Sequence, residues 1–189
     1  TGLFDNIDHG YLREFIKLRV NDGGIIRLIG KWLKAGVMEE GRLYRSDTGT
    51  PQGGVISPVL SNIFLHYVLD DWYVREVQPR MKGRSFLIRF ADDFITGFEL
   101  ESDASRALEA MRKRFDRYGL ELHPDKTKLL RFARPGKKND QVEKSGTFDF
   151  LGFTFYLGMS RRGYWVIMKK TASKRLYRFK KGVWEWCKK

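Results

Sequence analysis

One cysteine, Cys187, among 189 residues leaves no internal disulfide and no cysteine-based zinc site, and it fits a reducing cytoplasm. No run of eighteen or more apolar residues occurs, so nothing here is predicted to span a membrane. The N-terminal stretch TGLFDNIDHG lacks the basic start and apolar centre of a signal peptide. It also lacks an initiator Met, and we expect the sequence to be a piece of a longer one. Internal repeats and low-complexity linkers are missing as well, which excludes solenoids and disordered spacers. Acidic residues are scarce near the C-terminus: Arg161 to Lys189 holds eleven Lys/Arg against the single acid Glu185.

What is present is an ordinary core and an uneven charge. Hydrophobic residues make up 42% of the chain and aromatics 14%, enough for one domain and the start of another. The net charge is +13, yet the first 160 residues, with 25 basic and 22 acidic side chains, supply only +3 of it. The basic tail is interleaved with Tyr164, Trp165, Tyr177, Phe179, Trp184 and Trp186, a mixture suited to a nucleic-acid backbone. A solvated cationic helix face has the same composition, so charge alone does not decide between them.

Periodicity predicts helices capped at Asp8 and running to Leu18, and from Asp22 to Ala35 with Ile25, Ile26, Leu28, Ile29, Trp32 and Leu33 inward. Val37–Ser46 reads as a hairpin turning at Glu40-Gly41. Ser57-Pro58, a capping hydroxyl followed by proline, starts a helix to about Val74. Ser85–Phe98 reads as a hairpin with Asp92-Asp93 at or beside its turn. Ser102–Tyr118 is amphipathic along Leu108, Met111, Phe115 and Tyr118, with Gly119 closing it. A strand pair near Leu120–Phe132, a polar loop Ala133–Gly146 and a hairpin Phe148–Lys169 complete the order. Such an order predicts an α+β domain, an antiparallel sheet with helices packed on one face.

Three segments carry candidate chemistry. Adjacent carboxylates at a hairpin tip, Asp92 and Asp93, suit Mg²⁺, which takes oxygen ligands and only one or two of them from protein. Taken alone, such a pair is more often a solvated turn. In Thr50-Pro51-Gln52-Gly53-Gly54-Val55-Ile56-Ser57-Pro58, glycines allow close backbone approach to a ligand and Gln52 offers donor and acceptor. A plain turn into a helix explains the same residues. Phe4-Asp5-Asn6-Ile7-Asp8-His9 is a cap-rich helix start.

Together these segments resemble the reverse transcriptase family, most closely the enzymes encoded by bacterial group II introns. FDNIDH looks like the end of the family's first palm motif. TPQGGVISPVLSNIFLHYVLD is similar to its fingers–palm junction, and FADDF to its aromatic-Ala-Asp-Asp signature, with Phe90 where Tyr is usual. GLELHPDKTKLL and FDFLGF resemble the next two blocks. Five blocks in order, over nearly the whole chain, make the resemblance specific.

The resemblance implies a polymerase palm over residues 1–170 and the start of a thumb over 171–189. It implies an RNA-directed DNA polymerase that transfers nucleotides from dNTPs to a DNA primer on an RNA template, with two Mg²⁺ ions, replaceable by Mn²⁺, held by Asp92 and Asp93. Phe4 would be the aromatic gate under the sugar, the amides of Gly2 and Leu3 the triphosphate cradle, and Gln52 and Gly53 the nucleotide pocket. Lys126, or alternatively Lys128, would give a proton to pyrophosphate. Phe90, Ala91, Phe150, Leu151 and Gly152 would touch primer or template, and Lys174, Arg175 and Arg178 would track the backbone. A third metal-binding aspartate is expected two positions before Thr1, so this stretch alone is expected to be inactive. A bacterial, cytoplasmic parent that also binds intron RNA is implied too. The alternatives are a non-catalytic RNA-binding maturase-type module, which has no use for paired acids beside a phosphate groove, and a metal-dependent nuclease, for which His9 and His66 supply no adequate constellation.

Overall fold

The computed structural model describes residues 7–34, 37–39, 42–44, 56–132 and 146–188. It divides into two units, Thr1–Thr127 and Lys128–Lys189.

In the first unit, helix α1 (His9–Lys17) begins where Asp8 accepts the Tyr11 N–H at 2.9 Å, and it buries Leu12 and Ile16. Helix α2 (Gly23–Lys34) follows Asp22, whose carboxylate accepts the N–H groups of Gly24 and Ile25 at 2.6 and 3.1 Å. The expected inward face of α2 is only half right. Leu33 is buried and Ile26 and Ile29 pack on the core, whereas Ile25, Leu28 and Trp32 are exposed. At about 100° per residue these six positions spread over roughly 160° of the helix, more than the neighbouring elements cover. Strands β1 (Val37–Glu39) and β2 (Arg42–Tyr44) pair antiparallel with Glu39 opposite Arg42, while the predicted turn at Glu40-Gly41 lies outside the described residues.

Helix α3 (Ser57–Leu65) departs from expectation at both ends. Ile56 occupies its N-cap without a side-chain cap, while Ser57 is buried in the first turn beside Pro58. Proline at the first turn suffices as a start signal, because its missing N–H would be unpaired there anyway. The helical path then outruns Val74, passing through wide π-type turns at His66–Asp70 and Tyr73–Val77 to a 3₁₀ turn at Gln78–Arg80. Strands β3 (Ser85–Phe90) and β4 (Asp93–Phe98) form the predicted hairpin.

Helix α4 (Glu101–Arg117) lays Met111 and Phe115 on the core, joined by Tyr118. Gly119 (φ +68°) terminates it, with the Leu120 N–H bonded to Phe115 O and the Gly119 N–H to Asp116 O, the paired bonds of a Schellman turn. Arg114 donates to the carbonyls of Val68 and Tyr67 at 3.2 and 3.3 Å, within the first wide turn, and lies over the rings of Trp72 and Tyr118. Asp103, 1% exposed, accepts the N–H groups of Lys82 and Gly83 and so ties the approach to β3 onto α4.

The expected strand pair near Leu120–Phe132 does not form. Pro124–Lys126 make a turn in which the Thr127 N–H bonds to His123 O at 2.9 Å. Proline has no N–H to offer a ladder at that point. The core gathers Leu12, Ile16, Leu60, Phe64, Val68, Leu69, Met111 and Phe115 from α1, the long helical run and α4.

In the second unit, β5 (Phe148–Phe150), β6 (Phe153–Met159) and β7 (Trp165–Thr171) form an antiparallel meander, one strand more than the predicted hairpin. Helix α5 (Ser173–Cys187) follows, with no buried residue. Helices with small antiparallel sheets make this an α+β protein, as expected; the described strands fall into three sheets. No helix among the described residues is long and apolar enough to cross a membrane.

Candidate functional site

Strand β3 alternates strictly, whereas β4 is exposed only at Asp93 and half-buried from Phe94 to Phe98. Ser85, Leu87 and Arg89 turn inward, while Phe86, Ile88 and Phe90 face out, Phe90 being 65% exposed. On β4, Phe94 packs edge-on to Phe115 of α4 at 6.1 Å. Pairing Phe90 with Asp93 leaves Ala91-Asp92 as a two-residue loop. Such loops need a left-handed residue, and Ala91 supplies it at φ +52°. For a residue with a Cβ this conformation costs roughly 1–2 kcal/mol, so the surrounding structure must enforce it.

Arg89 bonds to this loop and to the helical run beneath it. Its Nε and Nη2 donate to the two oxygens of Asp70 at 2.7 and 2.6 Å, while its Nη1 donates to Asn62 Oδ1 at 2.8 Å and to the Ala91 carbonyl at 2.7 Å. The Arg89 side chain is 13% exposed and that of Asp70 28%. Asp70 closes the first wide turn of the long helical run, and His66 Nδ1 lies 3.7 Å from it. Arg89, Asp70 and Asn62 were not foreseen. The signal was there, since an arginine at an inward strand position requires a partner.

Asp92 and Asp93 are both exposed at the tip, and their carboxylates have no hydrogen bond or ion pair to a described residue. Among the described residues no group of three His, Cys, Asp or Glu side chains comes together, so the pair is a two-carboxylate set. Two uncommitted hard oxygen ligands fit Mg²⁺, which fills its remaining positions with water and substrate phosphate.

The other predicted residues are scattered. Gly2, Leu3, Phe4, Gln52 and Gly53 lie outside the described residues. Lys126 is exposed at the Pro124–Lys126 turn, and Lys128 is exposed as well. In the second unit, Leu151 (φ +50°) and Gly152 (φ +80°) form the two-residue loop between Phe150 and Phe153. Arg175 rests against this loop: its Nη1 is 3.5 Å from Leu151 O, and its guanidinium fills the space a Cβ on residue 152 would need. Lys174 and Arg178 are exposed on α5 without an ion-pair partner among the described residues. Lys169 and Lys170 lie over the rings of Phe153 and Tyr156. Cations and exposed aromatics therefore share this unit's surface, the mixture that grips phosphates and stacks on bases.

The chain matches a family of nucleic-acid polymerases: the model described as "Reverse transcriptase (RNA-dependent DNA polymerase)" covers residues 1–155. It belongs to the reverse transcriptase family. It is 49% identical over 84 residues to the group II intron-encoded protein LtrA of Lactococcus lactis subsp. cremoris, covering 44% of this chain and 14% of that protein. It is 32% identical over 164 residues to protein YkfC of Escherichia coli (strain K12), covering 68% of this chain and 41% of that protein. Identity to the putative COX1/OXI3 intron 2 protein of Saccharomyces cerevisiae is 29% over 143 residues, covering 75% of this chain and 15% of that protein. The chain thus spans less than half the length of each of these relatives.

Proposed function

We propose that this chain is the palm and the start of the thumb of an RNA-directed DNA polymerase from a group II intron-encoded protein that also binds intron RNA and assists its splicing. The observation that carries the reading is the uncommitted Asp92–Asp93 pair on a strained hairpin tip, in a chain of reverse transcriptase family. In this reading Asp92 and Asp93 would hold two Mg²⁺ ions, or Mn²⁺ in their place, which would supply Lewis-acid activation of the primer 3′-hydroxyl and charge neutralisation at the departing pyrophosphate.

The remaining work falls to the chain. Gly2 and Leu3 bind the triphosphate of the incoming dNTP through their amides, and Phe4 excludes a 2′-hydroxyl by its ring. Gln52 and Gly53 line the nucleotide pocket. Lys126, with Lys128 as the alternative, hands a proton to pyrophosphate. Phe90 and Ala91 face the primer end, and the Phe150–Gly152 loop steadies the primer strand. Lys174, Arg175 and Arg178 hold phosphates of the RNA template and DNA primer without reading bases. Residues 1–170 then act as palm and 171–189 as thumb.

Asp92→Asn in the full-length protein tests this. Asn keeps the side-chain size, so the hairpin folds, and template–primer binding persists because it rests on distributed phosphate contacts. Extension should fall by on the order of a thousandfold or more, the scale for removing a metal ligand that stabilises transition-state charge. Near-normal extension would make the pair a surface turn and overturn the reading.

A further inference from the structure

We propose that Arg89 is a positioning residue for the carboxylate pair, setting the direction of Asp92 through the Ala91 carbonyl. The inference rests on the reading of Asp92 and Asp93 as metal-holding residues and adds to it the part of the protein that aims them.

The peptide plane between Ala91 and Asp92 is rigid, so fixing the Ala91 oxygen fixes the plane from which Asp92 departs. Arg89 Nη1 holds that oxygen at 2.7 Å. The left-handed φ of Ala91 leaves the loop no inherent preference for this arrangement, so an outside grip is needed. The grip is anchored elsewhere. Asp70 takes Nε and Nη2 in a two-pronged pair, and Asn62 takes the other side of Nη1, so four donors of one rigid guanidinium are aimed. Asp70 and Asn62 belong to the helical run from Ser57 to Arg80, packed in the core of the same unit. The hairpin tip is thereby referenced to the core and not to its own two-residue loop.

Charge supports the assignment. A free guanidinium near the pair would repel a divalent cation. Here the Asp70 carboxylate neutralises it at 2.6–2.7 Å, so Arg89 orients without opposing cation binding. Lysine retains the charge but has a single point of attachment, and it cannot hold Asp70, Asn62 and the Ala91 carbonyl in one plane.

The test uses the full-length protein with Arg89→Lys, Asn62→Ala and Asp92→Asn side by side. Readouts are the Mg²⁺ concentration for half-maximal primer extension, Mn²⁺ affinity by electron paramagnetic resonance, template–primer affinity and thermal unfolding. Arg89→Lys should raise the Mg²⁺ midpoint and weaken Mn²⁺ binding by about tenfold, the scale seen when outer partners of metal ligands are lost, with template–primer affinity unchanged. High Mg²⁺ should restore much of its extension, a recovery that general destabilisation would not give. Asn62→Ala, at an exposed position, should shift both in the same direction by about threefold, and it carries the decision if Arg89→Lys folds poorly. Midpoints and Mn²⁺ affinities within about twofold of the parent, for whichever variant folds, overturn the proposal. Normal extension by Asp92→Asn overturns instead the reading beneath it, which separates the two failures.

Discussion

Replacing Lys174 and Arg178 together with glutamine in the full-length protein should flatten the salt dependence of template–primer binding. Both side chains are exposed on α5, and neither has an ion-pair partner among the described residues, so both are available to phosphates. Each phosphate neutralised contributes about 0.9 to the slope of log affinity against log salt on a duplex, so losing two contacts lowers the slope by about 1.8. Over a fourfold rise in salt, that is about a twelvefold smaller loss of affinity for the variant than for the parent. Arg175 should behave differently. Its guanidinium leans on the Leu151–Gly152 loop, so Arg175→Gln should disturb the loop as well as the charge. Fluorescence anisotropy with a labelled RNA–DNA hybrid, titrated between low and moderate salt, measures the slopes directly. Several unrelated sequences should give the same slope. An unchanged slope in the double variant would mean these cations only solubilise the helix, and the assignment of α5 to backbone binding would fall.

Two stability predictions follow from the packing. Gly152→Ala combines a left-handed φ of +80° with a Cβ placed against the Arg175 guanidinium, and should cost about 2 kcal/mol by urea unfolding, partly recovered in the Gly152→Ala/Arg175→Ala double variant. Arg114→Met should keep the apolar packing but strand the carbonyls of Tyr67 and Val68, for a loss of about 2 kcal/mol in the same assay.

The parts of the fold that were legible in the sequence are those fixed by local chemistry. Asp8 announced α1 because a short carboxylate just before an apolar-periodic stretch can accept the otherwise free N–H three residues on, as it does from Tyr11. The β3–β4 hairpin was legible from two short apolar runs, FLIRF and FITGF, and Gly119 from its place after an amphipathic stripe. The misses have the opposite character. Ile25, Leu28 and Trp32 look buried in any helical projection; only the tertiary arrangement reveals which side of a wide apolar arc is covered. Leu120–Phe132 has strand-like composition, but Pro124 turns the chain instead. At the candidate site the acids were visible as a motif. Their support was not, because Asn62 and Asp70 are separated from Arg89 by a stretch of sequence that only folding closes.

The wide turns of the helical run have a consequence for angular phase. Buried residues recur at every fourth position from Ser57 through Ser61, Leu65, Leu69 and Tyr73 to Val77. In a regular α-helix a step of four overshoots a full turn by about 40°, so five steps would swing the stripe by about 200° and point Val77 away from the core. The π-type turns at His66–Asp70 and Tyr73–Val77 spend extra residues per turn and cancel that drift. The run therefore keeps one bearing along its length. Asn62 and Asp70, two such steps apart, inherit the same bearing, which is why a single guanidinium can reach both.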